Sequence, residues 1–147
     1  MATAASNKFK FLLASKVIDF ANDSFKIILM DTGFTFNKDT HHAYANVSAS
    51  ELDTGNGYTK NTKTLGTATV SEDDTDDRCE VTWDDVTWTA SGGSIGPTPG
   101  AIIFDDTVEA ATGVVADPII GYIDFGGEQT QADGGTATVS DVEVRIA

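Results

Sequence analysis

The sequence predicts a mainly β protein, a β-sandwich of about six to seven short strands with one N-terminal helix, and three observations carry that expectation. The 147 residues include 20 Thr with many Val and Ile, whose branched side chains fit a pleated sheet better than a helix. Short apolar runs recur from Phe25 onward, separated by clusters of Gly, Pro, Ser and Asp that mark turns. Only one segment, near the N-terminus, has helical spacing. A chain of this length buries about two-thirds of its unfolded surface as one domain. No internal repeat or long linker divides it, so 1–147 reads as a single domain: an N-terminal arm over 1–7, a helix over 8–21 and a sandwich over 25–147.

Residues 1–7 are too small and polar to anchor in their own core, so the arm is expected to lie on a neighbouring chain. From Lys8 to Ala21, Phe9, Leu12, Leu13, Val17, Phe20 and Ala21 fall at three- and four-residue intervals along one helical face, and Asn22-Asp23 ends it. Phe25 to Met30, apolar without interruption from Ile27, reads as a strand buried on both faces. Asp31 to Gly57 has no sustained period and reads as a long ordered excursion with one helical turn near His41 to Tyr44. Thr64 to Val70, the acidic turn from Glu72 to Asp77, and Cys79 to Trp83 suggest a hairpin. Val86 to Ala90 follows, the Gly- and Pro-rich stretch from Ser91 to Gly100 breaks the chain, and Ala101 to Phe104, Pro118 to Phe125 and Thr136 to Ile146 complete the strands.

Charge narrows the function. The formal net charge is -14, yet residues 1–70 are near balance with seven Lys against six acids, whereas the rest sets 17 acids against Arg78 and Arg145. Such a chain offers phosphates no basic stripe, which excludes nucleic acid as a partner, and an anionic membrane surface for the same reason. No run approaches the 18 apolar residues of a membrane span, and the N-terminus lacks a signal pattern, so synthesis in a cytoplasm is expected. The lone Cys79 excludes an intrachain disulfide and a multi-cysteine zinc site, and reads as a small buried hydrophobe.

No enzyme is read from the sequence. His41 and His42, the only histidines, are adjacent and point apart on a strand or helix, so they do not converge on a metal. There is no nucleophile elbow, phosphate-binding loop or dinucleotide fingerprint. The pairs Asp73-Asp74, Asp76-Asp77, Asp84-Asp85 and Asp105-Asp106 supply hard oxygen ligands but not the spacing of an EF-hand, and read as solvated turns. No cofactor or metal is expected. Trp83 and Trp88 are an odd interval apart, which on one continuous strand places them on opposite sides. A turn or bulge at Asp84-Asp85 that resets the register buries both; an exposed one is available to stack on a sugar or anchor an interface.

Several segments in order carry a resemblance: Phe25 to Met30, the loop ending in His42-Ala43-Tyr44, Gly57-Tyr58, Val86-Thr87-Trp88-Thr89-Ala90, Ile102 to Asp106, and Pro118-Ile119-Ile120-Gly121-Tyr122-Ile123-Asp124-Phe125-Gly126-Gly127. The chain resembles small structural proteins of tailed bacteriophages over roughly Phe9 to Val144. That resemblance implies a virion component on the head surface, a decoration or cement protein whose partners are the major capsid protein and copies of itself, with a homotrimer favoured. A tail or neck adaptor, a fibre component and a carbohydrate-binding β-sandwich are the alternatives. Because the half from Ser71 onward is acidic, contact is expected through the near-neutral half, with Phe34, Phe36, His41, His42 and Tyr44 as interface residues and Phe34 or Phe36 packed on a neighbouring chain.

Overall fold

Chain order in the computed structural model is β1 (Ala2–Ala5), α1 (Asn7–Ala14), β2 (Phe25–Leu29), α2 (Tyr44–Val47) running into a 3-10 turn (Ser48–Ser50), β3 (Thr69–Asp73), β4 (Arg78–Trp83), β5 (Val86–Thr89), β6 (Ile95–Asp105), β7 (Ile119–Gln131), β8 (Thr136–Val139) and β9 (Val142–Ile146). The protein is mainly β, and its named strand pairs are all antiparallel. No helix is long and apolar enough to cross a membrane.

A four-stranded sheet in the order β1-β7-β6-β2 forms the middle of the molecule. Its three apolar runs are continuous because both faces are covered. Phe25, Ile27, Leu29, Ala101, Ile103 and Ile123 point into the main core, shared with Phe9, Leu12, Trp83 and Trp88. Ile28, Met30, Ile102, Phe104, Ile119 and Tyr122 point the other way, into a smaller core that takes in Val47 and half-buried Phe34, Phe36 and Tyr44. Alternation along each strand delivers neighbouring residues to opposite layers.

The layer over the main core is one bent ribbon. β4 pairs with β9 from Cys79↔Ile146 to Trp83↔Val142, and β5 pairs with β8 from Val86↔Val139 to Thr89↔Thr136, in the same register. Asp84-Asp85 and Ser140-Asp141 lie opposite each other at the bend, and Asp141 takes φ 54° there. The segment expected as a single strand from Thr136 to Ile146 is therefore two strands in two sheets. The same bend breaks the side-to-side alternation between the tryptophans without shifting the pairing, and both are buried. β3 and β4 form a hairpin as expected, with Val70 opposite Val81, but its first strand is Thr69–Asp73 rather than Thr64 to Val70, and Glu72 and Asp73 belong to the ladder rather than to the turn. On its outer face Arg78 bridges Asp73 (3.1 Å), Asp76 (3.1 Å) and Glu80 (2.7 Å).

Further expectations need correction, beginning with the helical turn expected near His41 to Tyr44, which lies at Tyr44–Val47. The first residues do not reach for a neighbour: Ala2–Ala5 pairs with β7 of its own chain from Ala2↔Asp124 to Ala5↔Gly121, and Ser6 is fully buried. The helix ends at Ala14 rather than Ala21 because Lys16 turns left-handed at φ 60°. Val17 N–H then bonds the Leu12 carbonyl (2.9 Å) and Lys16 N–H the Leu13 carbonyl (3.1 Å), a Schellman closure with Lys where Gly is usual. Ile18 and Phe20 still reach the main core, but from turns. The chain also does not break over the whole of Ser91 to Gly100: β6 starts at Ile95 and continues through Pro97 and Pro99, its pairing with β7 shifting register at Ile95/Thr98 and Thr98/Gly100.

The excursion after β2 forms the second covering layer. Met30 N–H bonds Gly100, Asp31 N–H bonds Ser50 and Leu52 N–H bonds Leu29, so the chain returns beside β2 at Glu51. The Glu51 side chain is buried and accepts three hydrogen bonds: from the Tyr58 hydroxyl (2.7 Å) and Asn61 N–H (2.8 Å) on Oε1, and from the Tyr44 hydroxyl (2.7 Å) on Oε2. The Tyr58 oxygen in turn accepts the Leu29 N–H (3.0 Å). Burial and the Glu51 charge push both tyrosine hydroxyls well above their ordinary range, so they stay donors at any physiological pH. Glu51→Gln puts an amide NH2 among these donors and should lower unfolding free energy by roughly 2–4 kcal/mol, against about 1 kcal/mol for Tyr44→Phe. Denaturant titration of both variants measures this, and an unchanged midpoint for Glu51→Gln contradicts the role assigned to the carboxylate.

Candidate functional site

Two turns shape the loop that follows β2. Asp31 Oδ1 accepts the Thr32 N–H (2.8 Å), Phe34 N–H returns to the Asp31 carbonyl (3.2 Å), and Gly33 between them takes φ 76°, the left-handed region a side chain disfavours. Glu128, on β7, accepts the Gly33 N–H (2.9 Å) and the Thr32 hydroxyl, pinning this turn to the sheet. Asn37 closes the second turn, with His41 N–H bonding its carbonyl (2.9 Å) and Asn37 N–H bonding His41 Nδ1 (3.1 Å).

Between the turns Phe34 and Phe36 are two apart and present their rings on one side. Phe36 stacks on Tyr122 at 5.5 Å and 19°, and Phe34 lies 5.8 Å from Tyr122 and stacks on His41 at 5.4 Å and 23°. Tyr122 can lie there because residue 100 is Gly: a Cβ at that position would stand 2.3 Å from the Tyr122 hydroxyl and 2.4 Å from the Ile123 carbonyl oxygen. Beside the rings is an open groove of about 420 Å³, lined also by Ala2 to Ala4 of β1, Thr35, Pro99, Gly127 and the carboxylates Asp124 and Glu128.

The charges in this groove are all negative. Neither Asp124 nor Glu128 has a cation within bridging distance. Hydrogen bonds from Thr32 and Gly33 hold the Glu128 carboxyl below its usual range, which keeps it ionised. Burial first, and the nearby Asp124 charge second, push the Tyr122 hydroxyl up to about 12. Burial and His42 lower the His41 imidazole, so at neutral pH it is uncharged with Nδ1 as acceptor.

Phe34, Phe36 and His41 come together, all three half-buried: the two phenylalanine rings pack on their own Tyr122 and the imidazole packs on both of them. The other two sequence-derived residues lie apart from them. Tyr44 stacks on Phe104 (4.9 Å, 20°) and points to Glu51. His42 is fixed through its backbone, between Asn46 Oδ1 and Ile119 N–H, with Nδ1 buried and unpartnered. Sequence reasoning missed Tyr122, Asp124 and Glu128, which lie more than eighty residues beyond the loop. The one local signal was a Gly-Tyr pair inside an otherwise aliphatic run.

A second titratable feature sits at the end of β6. Asp105 is fully buried; its Oδ1 accepts the N–H groups of Thr107 (2.8 Å) and Val108 (3.2 Å), Oδ2 is buried without a hydrogen-bond partner, and the Asp23 carboxyl is a close neighbour. Burial chiefly, and Asp23, push Asp105 up to about 7. Asp106 alongside pairs with Lys26 (2.9 Å), and burial with the Asp106 charge also raises Asp117. No group of three or more His, Cys, Asp or Glu side chains is placed to hold a metal ion. No family model, curated protein or solved structure matches the chain.

The Asp105–Asp23 pair gives stability a pH dependence of defined sign. Asp105 in the unfolded chain ionises near 3.9, whereas the folded protein keeps that proton to about 7. Between those values the folded state binds more protons, so this group's contribution falls as pH rises through the window and levels off above it. Asp105→Asn, which mimics the protonated acid, should raise stability at pH 8 by roughly 1–3 kcal/mol and flatten the pH 4–7 profile. Thermal unfolding across that range tests it, and a variant less stable than the parent at pH 8 would overturn the assignment.

Proposed function

We propose that the protein is a non-enzymatic structural component of a tailed-phage virion, a decoration or cement protein that binds the capsid surface beside copies of itself. The observation that carries this reading is where the aromatic residues sit. Trp83 and Trp88, the side chains best suited to a sugar platform, are both in the main core. The partly exposed rings Phe34 and Phe36 lie instead on the near-neutral half of the chain, in a groove beside a rigid sheet. Aromatic anchors of this kind serve protein contacts.

Charge limits what that contact can be: the groove beside the rings also carries the unpaired carboxylates Asp124 and Glu128, so the surface it meets must bring cations. The acidic β3–β4 turn is exposed and suits water or a basic surface, since burying unpaired carboxylates on a contact would cost several kcal/mol. Three copies around a symmetry axis would multiply individually weak contacts, so a homotrimer on the shell is favoured, with an adaptor position at the tail or neck as the alternative.

Counting copies per particle by mass spectrometry or cryo-EM separates these positions: shell decoration requires many copies with like neighbours, and one isolated copy per virion removes it. The Phe34→Ala, Phe36→Ala double variant should bind the shell with reduced occupancy. Because both rings also pack on Tyr122, Thr35→Arg is the companion variant, blocking the groove from an exposed position without touching the core. Unchanged occupancy for both folded variants would sink the proposal.

A further inference from the structure

We propose that the groove beside Phe34, Phe36 and Tyr122 receives helix α1 of a second copy of this chain, with Phe11 entering among the rings and Lys8 and Lys10 meeting Asp124 and Glu128. The inference rests on the reading that this groove contacts a neighbouring chain, and it names that neighbour.

Phe11 is the most exposed large hydrophobic side chain of the protein, at 57%. It lies on α1 one turn beyond Lys8, whose ammonium sits 4.9 Å from the ring centroid. Lys8 has no carboxylate partner, its ammonium resting on the backbone carbonyl of Gly113 (2.8 Å), and Lys10 reaches only the terminal oxygen of Ala147, at a long 3.4 Å. In a chain of net charge -14, an unneutralised cationic stretch around an exposed ring is an unmatched feature. Its complement is on the same molecule: an aromatic groove of about 420 Å³ whose only charged residues are acidic and unpaired.

The contact must be between chains. Phe9 and Leu12 bury the inner face of α1 completely, which prevents the helix from swinging into its own groove, and no α1 residue lines that groove. Charge complementarity selects a second copy, because two chains of this net charge repel except where one presents its cations. The acidic β3–β4 turn is the weaker counterpart: Arg78 already bridges Asp73 and Asp76, and its one exposed apolar residue is Val70. Helix to groove joins two different surfaces, so the contact is heterologous and propagates from copy to copy, closing into a ring where the rotation allows.

A photo-reactive benzophenone amino acid in place of Phe11 keeps an aromatic plug and reports what it touches. Mixing it with isotope-labelled chain at near-physiological ionic strength, then mapping adducts by mass spectrometry, should find them on labelled peptides containing residues 33–36 or 122–128. Lys8→Glu with Lys10→Glu in the probe-bearing chain should cut that yield at least about tenfold, and pairing it with an Asp124→Lys partner should restore the yield. Adducts confined to β3–β4, to the probe's own chain or absent at millimolar protein, or failure of the charge swap to restore the yield, would overturn the docking. Shell occupancy is read separately: a chain that coats the shell without these adducts loses only the docking, and one that forms them in solution without coating the shell loses only the decoration role.

Discussion

Glu51 has left water, and three donors replace its hydration: the hydroxyls of Tyr44 and Tyr58 and the N–H of Asn61. No cation bridges it. A buried carboxylate held this way tolerates little slack, because each donor withdrawn leaves an uncompensated charge in an apolar surround. Residues spread over 44–61 are thereby gathered at one point beside the end of β2. Tyr44 is set flat on Phe104, and Val47 is carried over Ile28 and Ile102. With that stretch fastened, the remaining loop from Asp31 to His41 has only the Tyr122 end of the sheet left to cover. The groove is therefore a consequence of how the second core is closed.

What the sequence made legible follows from the same two-layer burial. The runs at Ile27–Met30, Ala101–Phe104 and Ile119–Ile123 could be read as strands because both faces demand apolar side chains, and nothing but an inner strand puts so many together. The hairpin at β3–β4 was legible from its acidic turn. By contrast β1 is Ala-Thr-Ala-Ala, with a single branched residue and no clear period; it forms because β7 offers an open edge, information that lies about 120 residues away. The end of α1 was hidden because Lys16 adopts a conformation usually left to Gly, while Val17, Ile18 and Phe20 continue an apolar pattern from turns. Likewise the bend at Ser140-Asp141 interrupts a pattern that alternates on either side of it.

The candidate site divides in the same way. Phe34, Phe36 and His41 were legible as a group because one loop holds them, and tight turns at Asp31 and Asn37 return the chain within a few residues. Their floor and their charge were not. Tyr122 counts as core by any local reading, and only the missing side chain at Gly100 lets its ring turn toward the loop. Asp124 and Glu128 follow on the same strand and look like ordinary solvent-facing acids until the Thr32–Gly33 turn is seated on one of them. Tyr44 was misplaced in the opposite sense, since nothing near it in sequence says that its hydroxyl meets a buried carboxylate.

The lopsided charge has a structural reason in the sheet edges. β2 hides its outer edge by bonding Ile27 N–H to Lys63 and Leu65 N–H to Phe25. β3 has no such cover: it pairs only with β4 and is exposed along nearly its whole length. An open edge invites another strand, and charge is the usual protection. Glu72, Asp74, Asp76 and Asp77 crowd that edge and its turn, while Arg78 offsets their mutual repulsion by bridging Asp73 and Asp76. Exposed bridges of this kind add little stability, so their effect is on which surfaces can meet. At physiological ionic strength such charges are felt over about 8 Å. The acids thus oppose edge-to-edge pairing of hairpins while leaving surfaces farther than that from them free to associate.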